Sequence, residues 1–280
     1  MSAKNDLTIP LLPGRYYHIY NRGINRCNIF YQQENFRYFL MKYGEKLKSY
    51  FDTFGYALLD NHFHLFVRVK PIDVVLTKGA EDFTAVNETF YKDYVTPWVD
   101  RLKGSVTSDL TPDSDSDLTN FRNLLNLSQL SQSYGDAHET NPEFPEDLKE
   151  VDFRTQLSSW VVSERFRGFM LGYAKAINKQ ESRTGSLLQK GFRRKYIIGD
   201  TKDYKSVLTY IHHNPIHHFY TDNYKDYTWS SYNTYLTDKQ TQLCRSESLE
   251  WFGSKEHFID FGENYKKNKN YVDKWIINED

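Results

Sequence analysis

Cysteine is nearly missing from this 280-residue chain: Cys27 and Cys244 are the only two, far apart and in no CxxC pair. That gives no support for a disulfide framework or a zinc ribbon, and it points to a reducing compartment. No apolar run has the length that crosses a bilayer as a helix. The first ten residues lack the charged-then-apolar layout of a secretory signal. These absences predict a soluble, cytoplasmic protein. No internal repeat is evident, which argues against a solenoid. A positive net charge is missing as well: 36 Lys and Arg stand against 37 Asp and Glu, for a net of −1.

That neutrality is an average of two unlike parts. Residues 71–152 hold 17 acidic and 6 basic side chains, a net of −11, which leaves 30 basic and 20 acidic, a net of +10, for the rest. A basic body carrying an acidic insertion is the charge layout of a protein with a polyanion partner, although two solvated surfaces of opposite sign would also produce it. What the chain has in excess is aromatic surface, 16 % of residues, with 22 Tyr and 19 Phe.

Residues 14–70 read as strand, helix, strand, turn, strand. Residues 16–21 are rich in Tyr and Ile; residues 34–50 carry Phe36, Phe39, Leu40, Tyr43 and Leu47 at helical spacing. Residues 53–59 and 62–70 are β-rich runs joined across Asp60-Asn61, which predicts a hairpin. Residues 71–152 form an acidic, partly flexible insertion, with short helices expected near 88–102 and 118–130 and polar, aperiodic stretches around them. Order returns in residues 153–219. A long helix is expected over 157–180, a strand over 191–198, and a helix capped by Asp200 or Thr201. That helix is expected to stop near Asn214, because the residue before Pro215 is pushed out of helical geometry. Residues 220–280 read as an aromatic, polar extension with further short helices.

Two constellations carry chemistry. In the run Asn61-His62-Phe63-His64-Leu65, alternation along a strand points His62 and His64 to one face, where two imidazoles can grip one metal ion. Taken alone, such a pair also occurs on ordinary half-exposed strands. In the helix from Thr201, Tyr204, Val207, Leu208 and Ile211 form an apolar stripe. With Val207 at zero, the stripe centres near about 50°, while Tyr210 falls at about 300°, between Ser206 at about 260° and Asn214 at about 340°. Asp203 shares that face at about 320°. Tyr210 therefore reads as a tyrosine off the core stripe, among polar neighbours: a nucleophile beside metal ligands, or a surface tyrosine near a helix end. His212, His213, His217 and His218 repeat no known ligand spacing and read as solvated or phosphate-neighbouring residues.

The ordered set Tyr16-Tyr17-His18-Ile19-Tyr20-Asn21-Arg22-Gly23, then Tyr56 through Leu65 with its His-Phe-His, then Tyr210-Ile211-His212-His213-Asn214-Pro215, resembles the single-tyrosine HUH transposases. Within them it looks most like the REP-associated tyrosine transposases, which act on DNA palindromes; Trp229-Ser230-Ser231-Tyr232 adds a further match. The resemblance spans about residues 14–70 and 155–235. It implies an α+β, ferredoxin-like core with a central antiparallel sheet flanked by helices. It implies that His62 and His64 are the HUH pair, that Tyr210 is the nucleophile, and that Asn214 completes the metal site. Asp60 stands where family members often have proline, and the acidic insertion is longer than the family pattern suggests. By the resemblance, Tyr210 forms a 5′-phosphotyrosine link with single-stranded or hairpin DNA and leaves a 3′-hydroxyl. Ligand type alone favours zinc or another imidazole-binding ion; the resemblance implies Mg2+ or Mn2+. Monomer and homodimer both stay open.

Phosphate contacts are expected from Lys190, Arg193, Arg194 and Lys195, and from Arg15, Arg22 and Arg26 near the first strand. Tyr16, Tyr20, Phe192 and Tyr196 interleave with them and are candidates for stacking on unpaired bases, or plain sheet-face residues. Two other readings compete with cleavage by tyrosine: a DNA-binding protein of transposase descent that does not cut, and a metal-dependent phosphoesterase that uses water.

Overall fold

The computed structural model describes residues 9–84 and 152–264. Four strands, β1 (Tyr16–Arg22), β2 (Phe51–Leu59), β3 (His62–Val69) and β4 (Arg193–Tyr196), form one sheet in the order β2-β3-β1-β4. All three neighbouring pairs are antiparallel. Helix α1 (Gln33–Leu47) joins β1 to β2, and the long helix α3 (Phe153–Gln180) leads towards β4. Each of these connections passes over one strand place, so the chain makes the two interleaved βαβ units of a ferredoxin-like α+β fold. Helix α1 ends at Leu47, three residues short of the expected stretch.

The chain divides into two compact units, Met1–Pro13 with Lys70–Glu164 and Gly14–Val69 with Arg165–Asp280. In the first, a helix that the sequence reading did not anticipate, α2 (Ile72–Thr84), buries Val75 and Leu76. Gly79 lets it approach Val161 closely, since a Cβ there would lie 2.8 Å from that side chain. The expected helices at 88–102 and 118–130 lie outside the described residues.

In the second unit the sheet has two unlike faces. Phe63, Leu65 and Val67 point to one, where Phe63 meets Phe39 of α1 at 5.1 Å between ring centroids, and Phe39 meets Phe169 of α3 at 5.0 Å. His62, His64, Phe66 and Arg68 point to the other, as do Tyr16, His18, Tyr20 and Arg22 opposite them. Helix α4 (Thr201–His217) packs over this second face. It starts as expected, with the Asp200 carboxylate accepting from the Lys202 N–H. It does not stop at Asn214. Pro215 lies inside it, and the helix runs one turn further to His217. A proline this near the end forfeits a single backbone bond, and every residue from Ser206 to Pro215 is buried, so packing holds the turn together.

The outer side of α4 is covered by α5 (Tyr232–Leu236), α6 (Arg245–Phe252) and α7 (Lys255–Glu263). Tyr232, Tyr235, Phe252 and Phe258 share one core cluster with Val207, Leu208 and Ile211. Arg68 ties α6 to the sheet, donating to Asp52 at 2.8 Å and to Glu247 at 2.7 Å. Among the described residues, no helix is long and apolar enough to cross a membrane.

Candidate functional site

The β2–β3 turn is held from outside: Asp60 O accepts from the N–H groups of Ile29 and Phe30, and Asn61 O accepts from Gly23 N–H. This fixes where β3 begins. His62 and His64 share a face as predicted, with ring centroids 5.1 Å apart and planes nearly perpendicular. His62 Nδ1 lies 2.6 Å from Asn61 Oδ1, and its Nε2 lies 3.3 Å from Asn214 Oδ1. His64 Nδ1 lies 2.9 Å from Nε2 of His18, which sits on the neighbouring strand.

Burial keeps these rings neutral. The His62 pKa falls to about 3, chiefly by desolvation, helped by His218 and Arg22 and opposed by the Asn214 contact. His64 is driven well below its ordinary value, first by burial and then by His18 and the other nearby histidines. Neutral imidazole is the form that ligates a metal.

Helix α4 brings Tyr210 and Asn214 to the same place. The Tyr210 ring lies 6.0 Å from that of His64, 5.7 Å from His18 and 5.6 Å from His217. The expected face of Ser206, Tyr210 and Asn214 exists, but it does not meet solvent. Tyr210 is 2 % exposed and belongs to the core cluster. The helix is enclosed by the sheet beneath and α5–α7 above, so its polar side is buried against the histidine face. Asp203, by contrast, is only half-buried, at the far end of the helix.

His212 and His213 are not solvated either. His212 Nε2 lies 2.8 Å from Ser231 Oγ, and His213 Nδ1 donates to Thr209 O at 2.9 Å. Burial lowers their pKa values to about 3 and about 4. His217 and His218 are half-buried and flank the site, His218 stacking edge-on to His62 at 4.4 Å.

The basic cluster separates by strand alternation. Lys195 stands opposite His18 and Arg193 opposite Tyr20, on the histidine face; Arg194 stands opposite Ile19, on the other face. There its guanidinium lies over the Phe192 ring at 4.8 Å, and burial lowers its pKa to about 10. Arg194 thus packs on Phe192, on the face away from the histidines. Arg22 ends β1 on the histidine face, while Arg15, Arg26 and Lys190 are exposed nearby in the chain. Of the aromatics proposed for base stacking, Tyr20 and Phe192 are buried. Tyr16 is stacked on Tyr204 and donates to Glu247, and Tyr196 is half-buried beside Tyr17.

No known protein family's profile matches this chain, and no curated protein matches it. A solved structure does. It is that of a REP-associated tyrosine transposase bound to a REP hairpin, 13 % identical, aligned over 81 % of this chain and 82 % of that one, with a TM-score of 0.40. The likeness is distant.

Three further residues stand at the site: His18, which the sequence marks with no role, and His217 and His218, expected only as solvated or phosphate-neighbouring. Alternation on β1 was the available signal for His18, since it sits two places from Tyr20 and so shares the face of His64. His217 and His218 could be placed only once α4 was known to continue past Pro215. Among the described residues, no three His, Cys, Asp or Glu side chains are arranged to hold a metal. A metal at this place would therefore depend on the Asn214 amide as third ligand. The donor set fits that role. In the tautomer that puts the His62 Nδ1 proton on Asn61 Oδ1, the Nε2 lone pair faces Asn214 Oδ1, and a cation between them would be held by both. Asn214 Nδ2 is buried and makes no hydrogen bond.

Proposed function

We propose that this chain is a DNA-cleaving strand transferase of the single-tyrosine HUH kind, acting on single-stranded or hairpin DNA. The observation that carries this reading is the convergence on one buried face of Tyr210 and Asn214 from α4 with His62 and His64 from β3. These four residues come from segments about 150 places apart in the chain, and packing alone has no need of this combination.

In this reading the Tyr210 oxygen attacks a backbone phosphorus. A tyrosine–phosphate bond forms, the bond from phosphorus to the 3′-oxygen breaks, and the leaving oxygen takes up a proton as a 3′-hydroxyl. Because the bond energy is kept in the phosphotyrosine, the hydroxyl can reverse the step on another end without a nucleotide cofactor. His62, His64 and Asn214 would hold Mg2+ or Mn2+. Such an ion supplies charge neutralisation at a phosphate oxygen. His18 sets the orientation of the His64 ring: a proton on His64 Nδ1, donated to His18 Nε2, leaves the lone pair on Nε2 of His64. Arg22, Arg193 and Lys195 face the same side and would bind the backbone phosphates.

One observation favours a second reading. With Tyr210 only 2 % exposed, DNA must displace part of its cover before the phenol can attack. A phosphoesterase using water would need the equally buried His62, His64 and Asn214 opened to substrate, but not the phenol itself. The two readings separate in one assay with labelled single-stranded hairpin DNA and Mn2+, run on the wild type, Tyr210→Phe and His62→Ala. A denaturant-resistant protein–DNA adduct that is lost in both variants is the expected result. Cleavage that survives in Tyr210→Phe without an adduct would move the assignment to water.

A further inference from the structure

We infer that Phe219 is a base-stacking residue that holds an unpaired nucleotide beside the candidate nucleophile. This rests on the reading of the substrate as DNA with unpaired bases. The side chain of Phe219 is 96 % exposed, far beyond the next large hydrophobic residue among those described, Ile198 at 58 %. Its backbone is also unusual: φ is 60°, the left-handed region that phenylalanine disfavours.

The cause is the way α4 ends. Tyr220 N–H donates to Pro215 O at 2.9 Å and Phe219 N–H to Ile216 O at 3.1 Å, the paired bonds of a Schellman motif. Phe219 occupies the position that glycine usually takes there. A large apolar ring has thus been set where both its backbone and its exposure are unfavourable. Such outliers tend to gather at functional sites.

Its location says what the ring meets. Phe219 directly follows His218, whose ring is 4.4 Å from His62, and comes two places after His217, whose ring is 5.6 Å from Tyr210. Arg22 stands opposite His62 in the β1–β3 register, so positive charge lies at the same place. The aromatics first considered for stacking are engaged elsewhere, whereas Phe219 projects. Only Tyr220 among its sequence neighbours is also an exposed hydrophobic, at 37 %, and it leans edge-on towards Tyr227. One projecting ring next to cationic groups suits a base beside a phosphate. A protein partner would ask for a contiguous apolar patch. The hydrogen-bonded turn fixes the backbone that carries the ring, so its attachment point is ordered before binding.

The test is equilibrium binding of single-stranded oligonucleotides carrying 2-aminopurine at successive positions, in a Tyr210→Phe background so that no strand is cut. Phe219→Gly, which suits the left-handed backbone, and Phe219→Trp are compared with the parent. The expected result is 2-aminopurine quenching at one position, and affinity reduced roughly 5- to 150-fold in Phe219→Gly. Phe219→Trp should retain both, and fully paired duplex should bind all three proteins alike. Equal single-strand affinity for Phe219→Gly and the parent would overturn the stacking role while leaving the cleavage reading intact. A preserved Phe219 effect in a protein whose wild type forms no adduct would uphold stacking and remove cleavage. Absence of single-strand binding by the parent would remove both.

Discussion

A neutral imidazole has one proton to give, and at His62 two amide oxygens compete for it. A proton on the shorter contact, to Asn61, leaves the lone pair of the other nitrogen towards Asn214. The same accounting applies at Ser231, deep beneath α4. Its hydroxyl accepts the Tyr56 N–H at 2.9 Å and lies 2.8 Å from His212 Nε2. Ser231→Ala removes the partner of a backbone donor and of an imidazole in one step, at a fully buried position. We expect a loss of about 1–3 kcal/mol in unfolding free energy, seen as a lower urea midpoint at unchanged slope. An unchanged midpoint would mean that the two groups find other partners.

At the scale of elements, strand alternation decides which basic residues share the histidine face. Four consecutive residues on β4 include three cations, yet the register with β1 sends Arg193 and Lys195 to the histidine face and Arg194 behind it. Substituting Arg193 or Lys195 with alanine should weaken single-strand binding and lower the slope of log affinity against log salt by about 0.7 for each phosphate lost. Arg194→Ala should leave that slope alone and reduce stability, because its guanidinium packs on Phe192. A reduced slope in Arg194→Ala would contradict the register. Helix α4 shows the complementary lesson. Its wheel places Tyr210 and Asn214 on one side correctly, but whether that side is wet or buried depends on what lies beneath.

Across the whole molecule, the buried histidines link stability to pH. His18, His62 and His212 are held at about 3 and His213 at about 4, each first by desolvation, against an ordinary value of 6.5. Above pH 6.5 these rings are neutral folded or unfolded. Below it the unfolded chain takes up protons that the folded protein refuses, so stability is lost as pH falls from 6.5 towards 3–4. Each ring contributes up to about 1.4 kcal/mol per pH unit in that window. The melting temperature without added metal should therefore drop markedly between pH 7 and pH 5. The drop should be shallower in His212→Gln, which removes one of the titrating rings. A melting temperature that is flat over this range would show that the histidines are more open to water than their burial indicates.

Local pattern and spacing determined much of this protein. The alternation of His62 and His64, the Asp60-Asn61 turn, the Asp200 cap and the apolar stripe of α4 all follow from short-range rules, and each stands in the structure where those rules put it. Tertiary structure decided the rest, because burial is a property of what packs on an element. Helix α4 continues through Pro215 because it is enclosed on both sides. His212 and His213 are neutral core residues because α5–α7 cover them. Arg194 leaves the basic face because of a register that no local window contains. His18, His217 and His218 join the site because strands and a helix distant in sequence meet there. Residue types and their periods could nominate Tyr210 as chemically interesting, but only the fold shows that it lies against His18, His64 and His217 with almost no solvent around it.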